Sequence, residues 1–114
     1  MTAGDYALVG DIGGTNARFA LVRDGSVTLE QMATLACADY PNLDAAVRDY
    51  LVRAALEKGA AVMSACLAVA SPVGADEVRM TNSHWSFSVA ALKAEFGWRL
   101  FKVVNDFTAM ALGV

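Results

Sequence analysis

Histidine occurs once in these 114 residues, and cysteine and proline twice each. His84 is the lone histidine, and Cys37 and Cys66 stand far apart, so no metal-spaced His/Cys pair can be written. Both cysteines lie in apolar surroundings and are expected as buried free thiols rather than as a disulfide. Basic clustering is also missing. Nine Lys and Arg are scattered among twelve Asp and Glu, giving a formal charge of −3. That argues against nucleic acid or an anionic membrane as partner, so any phosphate site must come from local geometry. No apolar run approaches the ~18 residues of a membrane span. The longest, residues 60–70, ends at Ser71-Pro72. A basic segment followed by an apolar stretch is absent from the N-terminus, so no signal peptide is read and a cytoplasmic protein is expected. What is plentiful is apolar: 56% of residues are hydrophobic and 18% charged, which excludes a disordered chain. One domain or less fits in this length.

The most informative stretch is Gly10-Asp11-Ile12-Gly13-Gly14-Thr15-Asn16-Ala17-Arg18. An apolar run over 6–9 leads in and an alternating run over 17–22 leads out, so the stretch reads as a hairpin turn between strands. Adjacent glycines can take positive φ and let backbone N–H groups approach an anion closely. Thr15 adds a hydroxyl and Asp11 a carboxylate, a set that suits a phosphate with its Mg²⁺. A plain hairpin with Asp11 capping the turn is equally compatible with these residues. A Rossmann fingerprint is excluded, because G-x-G-x-x-G is not matched and a strand follows. No Gly-Lys-Ser/Thr follows either, which excludes a Walker A loop.

Strands are expected over 6–11, apolar almost throughout and buried on both faces, and over 17–22. Asp24-Gly25 signals a second hairpin, leading into a more polar, edge-like strand over 27–34. The period then becomes helical. Asn42 is a plausible N-cap, and Leu43, Val47, Tyr50, Leu51 and Ala54 form one stripe that stops at Lys58-Gly59. Residues 60–70 fit a buried parallel strand reached by this helix as a crossover. Residues 71–87 look irregular, and so long an excursion is usually functional or mobile. Ser86 or Ser88 caps a helix carrying Val89, Leu92 and Phe96 and closing at Gly97. A short strand over 100–104 precedes Asn105-Asp106 and the start of a helix at Phe107. The class is α/β: a mixed five-stranded sheet, a three-strand antiparallel meander plus parallel crossovers, with helices packed on it. Asp11 and the Asn105-Asp106 pair fall at strand carboxyl ends, where ligand crevices form in such sheets. Asp106 there could accept a substrate hydroxyl's proton or simply cap the helix that follows.

Residues 11–18 and Asn105-Asp106-Phe107-Thr108-Ala109 resemble the phosphate and sugar motifs of bacterial glucokinase. That family belongs to the actin-like, hexokinase-type superfamily of ATP-dependent sugar kinases. Tyr40-Pro41, Met80-Thr81-Asn82 and Trp85-Ser86-Phe87-Ser88 match its pattern at corresponding places, so the resemblance covers the chain from Tyr6 onward. The resemblance implies a ribonuclease H-like, actin-like ATPase fold and phosphorylation of glucose at its 6-hydroxyl, the entry to glycolysis, with ATP and Mg²⁺. Gly10, Asp11, Ile12, Gly13, Gly14 and Thr15 would form the ATP-phosphate loop, with Asp11 near Mg²⁺ through water. Asn105 would bind sugar hydroxyls, and Asp106 would bind the sugar and act as the base for the 6-hydroxyl. Asn82 would lie beside the sugar pocket without a defined contact. His84 is expected as a solvated or locally bonded loop residue, not a sugar ligand.

Family members carry a second, larger lobe with the adenosine pocket. Residues 1–114 are therefore read as the N-terminal lobe of a longer enzyme, inactive alone and a homodimer when full length. The alternatives are a kinase for another hexose or N-acetyl-hexosamine, a sugar-sensing regulator of the same fold, and an actin-like ATPase module. Pure sensing needs no base at Asp106, which favours an enzyme.

Overall fold

A computed structural model describes residues 5–23, 28–58, 61–69, 74–80 and 84–105. β1 (Asp5–Ile12) and β2 (Asn16–Arg23) form an antiparallel hairpin, paired without interruption from Tyr6↔Arg23 to Ile12↔Ala17. β3 (Leu29–Ala36) pairs antiparallel with β2 and runs later than the expected 27–34. A bulge interrupts its pairing with β2. Gln31, at φ 54°, and Met32 fall between the pairs Phe19↔Ala33 and Leu21↔Glu30, where β2 supplies only Ala20. A short 3₁₀ helix (Cys37–Asp39) then turns the chain toward α1 (Leu43–Lys58).

Asn42 caps α1 as expected, its Oδ1 accepting the Ala45 N–H at 2.8 Å. Leu43, Ala46, Val47, Tyr50 and Ala54 make the buried stripe. β4 (Ala61–Val69) follows, parallel to β1. After a two-stranded ribbon, β5 (Glu77–Arg79) and β6 (Ser86–Ser88), comes α2 (Val89–Phe96). Ser88 is its N-cap, accepting from the Ala91 N–H at 3.1 Å, and Gly97 ends it at φ 67°, the left-handed conformation glycine adopts cheaply. β7 (Leu100–Asn105) closes the sheet, parallel to β4. The order β3-β2-β1-β4-β7 is the mixed five-stranded sheet expected from the pattern. The Asp24-Gly25 turn, Gly59, Asn82, Asp106 and the helix expected from Phe107 lie outside the described residues.

Topology decides where the core sits. β3, β1 and β4 point the same way, so β3–α1–β4 and β4–α2–β7 both advance in one direction across the sheet. Right-handed crossovers put both helices on one face. One core results, joining Leu8, Ile12, Phe19 and Leu67 to Leu43, Val47 and Tyr50 of α1 and Leu92 of α2. The expectation that β1 is buried on both faces is therefore corrected. Tyr6, Leu8 and Ile12 are buried, whereas Ala7 and Val9 on the other face are only half-buried and Asp11 is exposed. Cys66 shares that open face and is exposed, not buried as its apolar neighbours suggested; only Cys37 is buried.

The stretch read as irregular also needs correction, since it holds the β5–β6 ribbon. Its strands are three residues each, too short for alternation to register, yet Val78 and Phe87 pair across it and both are buried. The Trp85 indole N–H donates to the Tyr40 carbonyl at 3.1 Å, and Trp85 is buried. At the ribbon's other end Asp76 serves α2. Its carbonyl accepts the Val89 N–H at 2.9 Å, and its carboxylate accepts from Ser88 Oγ and, at 2.8 Å, from the Ala90 N–H. The Ser88 hydroxyl, then the Ala90 amide, hold that carboxyl below the usual carboxylate range.

Candidate active site

The β1–β2 turn is tight. The Gly13 N–H donates to the Asn16 carbonyl at 2.9 Å, leaving Gly14 and Thr15 at the tip. The paired glycines can take positive φ, but neither Gly13 nor Gly14 does; among the described glycines only Gly74 and Gly97 do. What the glycines contribute here is absence of bulk. Gly10, Asp11 and Ile12 belong to β1 rather than to the turn itself. Ile12 is fully buried, so only its backbone can face a ligand. Gly10 answers a packing demand. A Cβ there would stand 2.7 Å from Leu67 Cδ2 and 3.0 Å from Phe19 Cδ1.

In front of the turn lies an open cleft of about 340 Å³, lined by Asp11, Gly13, Gly14, Thr15, Asn16 and Arg18. Asp11 and Arg18 are cross-strand partners and both are exposed, so opposite charges meet on the open face at the cleft's edge. Asn16 and Arg18 had been assigned no role. The signal was available, because a two-residue loop at Gly14-Thr15 puts Arg18 directly opposite Asp11. From the cleft an apolar groove of about 280 Å³ continues over Val9, Ala20, Leu29 and Met32.

The turn is held from behind by Cys37. Its N–H donates to the Thr15 carbonyl at 2.8 Å, and its Sγ lies 3.6 Å from the Gly13 carbonyl oxygen. Burial pushes the Cys37 thiol up, which keeps it protonated and able to donate. Three residues on, the Tyr40 carbonyl receives both the Trp85 indole and, at 3.0 Å, His84 Nε2. His84 is thus an exposed, locally bonded side chain, as expected.

Asn105, half-buried, ends β7 in register with Val69, which is in register with Ile12. Asp11 belongs to the neighbouring row, Asp11↔Ala68↔Val104. Asn105 and Asp11 therefore share the carboxyl end of the sheet but sit on opposite faces, two strand spacings or ~10 Å apart. The structure gathers Asp11, residues 13–16 and Arg18 into one cleft and places Asn105 at the same end of the sheet, without bringing it to them. Among the described residues no three His, Cys, Asp or Glu side chains cluster to cage a metal. The one carboxylate among the cleft's lining residues, Asp11, beside backbone amides and the Thr15 hydroxyl, fits Mg²⁺, which takes one or two carboxylates and fills its shell with water and phosphate oxygens. No described helix is long and apolar enough to cross a membrane.

A meander sheet continued by parallel crossovers, with a polar turn at the carboxyl end of its first strand, is the fold of the actin-like ATPase class. The hexokinase of the ROK group from Thermus thermophilus superposes with a TM-score of 0.69 over 94% of this chain and 37% of that one, at 20% identity, a likeness of fold. The family model for glucokinase matches residues 8–114, and the chain belongs to the glucokinase family. The glucokinase of Marinobacter nauticus is 60% identical over 114 residues, all of this chain and 35% of that protein. The crystal structure of a glucokinase from an Antarctic psychrotroph superposes with a TM-score of 0.82 at 41% identity, covering 94% of this chain and 34% of that one. The chain spans about a third of the length of the relatives it matches.

Proposed function

We propose that these residues form the N-terminal lobe of a two-lobed glucokinase that transfers the γ-phosphoryl group of ATP to the 6-hydroxyl of glucose. The observation that carries the reading is the family match over residues 8–114 together with the cleft that Asp11, residues 13–16 and Arg18 build. Backbone N–H groups of the turn and the Thr15 hydroxyl hold phosphate oxygens. Asp11 is the residue that would hold Mg²⁺, which would supply neutralisation of phosphate charge. Asn105 fixes sugar hydroxyls. Asp106, next in the chain, accepts the 6-hydroxyl proton as that oxygen bonds to the γ-phosphorus. The bond from phosphorus to the bridging oxygen breaks, and ADP leaves with the electron pair. Such a reaction asks the protein mainly for positioning, charge neutralisation and a base.

The test compares the full-length protein with its Asp106→Ala variant in steady-state glucose phosphorylation. Turnover is expected to fall by about 10²–10⁴, the usual contribution of a general base. A fall below about tenfold removes Asp106 from that role. The same assay with other hexoses and N-acetyl-hexosamines identifies the sugar; a preference for one of them over glucose overturns the glucose assignment.

A further inference from the structure

The Gly13–Gly14 peptide is the part of the turn with least reason to hold one orientation. Neither residue has a Cβ, so rotation of that peptide plane meets little steric resistance. In a trans peptide the C=O and the N–H point opposite ways, and no described peptide is cis. Whatever holds the Gly13 carbonyl therefore fixes the direction of the Gly14 N–H. The group found there is the Cys37 thiol, 3.6 Å from the carbonyl oxygen, on a residue only 2% exposed. The same residue grips the turn again through its N–H on the Thr15 carbonyl.

Cys37 is itself well anchored. It opens the 3₁₀ helix, its carbonyl accepting the Tyr40 N–H at 3.2 Å, and the Tyr40 carbonyl is fastened to the buried Trp85. We propose that Cys37 is a positioning residue for the phosphate turn. Its thiol keeps the Gly13 carbonyl on the buried side, so that the Gly14 N–H is presented to the cleft as an anion donor. Gly-Gly-Thr alone does not specify which way its first peptide faces; a residue 24 positions beyond Gly13 does. The inference rests on the phosphoryl-transfer reading and adds to it a source of donor orientation outside the turn.

The test measures separate KM values for ATP and glucose in the full-length protein and its Cys37→Ala and Cys37→Ser variants. Cys37→Ala is expected to raise KM for ATP about three- to tenfold, the range one neutral hydrogen bond commands, with KM for glucose unchanged. Cys37→Ser keeps a donor and is expected to recover at least about half of that loss on a logarithmic scale. An ATP KM within about twofold of wild type in Cys37→Ala, equal rises in both KM values, or identical Ala and Ser variants would each overturn the proposal. If Cys37→Ala does not fold, Cys37→Val against Cys37→Ser at matched melting temperature makes the same comparison. If the wild-type protein phosphorylates no sugar, the functional reading falls on its own. The Gly14 amide resonance then decides: a shift on adding Mg-ATP that is lost in Cys37→Ala supports the lock, and no shift in wild type overturns it.

Discussion

The two faces of the five-stranded sheet share the same strands, yet they carry different residues and only one of them is covered. One face carries Leu8, Ile12, Phe19, Leu67 and Val69 and lies under α1 and α2. The other carries Val9, Asp11, Arg18, Cys66 and Lys102, of which all but half-buried Val9 are exposed. The covered face holds the fold together, and the open face presents charge at the carboxyl end of β1, beside the turn. Right-handed crossovers that advance in the same direction bring both helices onto the first face, and the large apolar side chains lie there with them.

The largest test of that contrast sets adjacent residues of β4 against each other. Leu67 is fully buried on the covered face, and Cys66 is exposed on the open one. In urea denaturation of the full-length protein, Leu67→Ala is expected to cost about 2–5 kcal/mol, lost transfer energy plus a cavity. Cys66→Ala should stay within about 0.5 kcal/mol. Similar losses at both positions would break the comparison, since they would mean that the open face is packed as tightly as the other.

A smaller effect is expected at Gly10, where the covered face leaves no room for a Cβ. Gly10→Ala places a methyl 2.7 Å from Leu67 Cδ2, an overpacking expected to cost about 1–3 kcal/mol. Because the shortest contact is with Leu67, the double variant Gly10→Ala/Leu67→Ala should lose less than the sum of the single variants. A coupling of at least about 0.5 kcal/mol in that cycle is the expected sign. Strict additivity would show that Gly10 is required for something other than space beside Leu67.

Much of this was legible in the residues because it is local. The Asn42 and Ser88 caps, the Gly97 stop, the hairpin after Ile12 and the parallel strand after α1 each have a short-range signature, and each is found where expected. The placement of Asp11 and Asn105 at one end of the sheet followed from strand order alone. What was not legible depends on contacts distant in the chain. Alanine, valine and cysteine occupy the open face of β1 and β4, so the period-2 signal that separates faces was blurred and Cys66 looked buried. The ribbon strands at Val78 and Phe87 are too short to show a period. Cys37 supports the turn from a segment without a motif, through contacts spanning more than twenty residues. Asp106 was singled out by resemblance and by its place after β7, and its chemistry awaits the kinetic test.

The smallest effect concerns the rim where the covered face meets the edge strand. Tyr50 of α1 packs on Phe19 with ring centroids 5.3 Å apart, and its hydroxyl donates to the Gln31 carbonyl at 2.7 Å, at the bulge of β3. Burial pushes the Tyr50 hydroxyl up to about 12 from an ordinary value of 10. A folded-state value above the unfolded one means that the folded protein keeps this proton longer. The associated stability is therefore complete below pH 10 and is lost as pH rises from 10 toward 12. Tyr50→Phe removes both the hydrogen bond and the titration. It should cost about 0.5–1.5 kcal/mol near neutral pH and flatten the alkaline fall in stability that wild type shows over that interval. The measurement is the urea midpoint at several pH values between 8 and 12 for both proteins. Parallel alkaline falls would assign the titration to another group and leave Tyr50 as packing alone, with the bulge at Gln31 held by its strand rather than by α1.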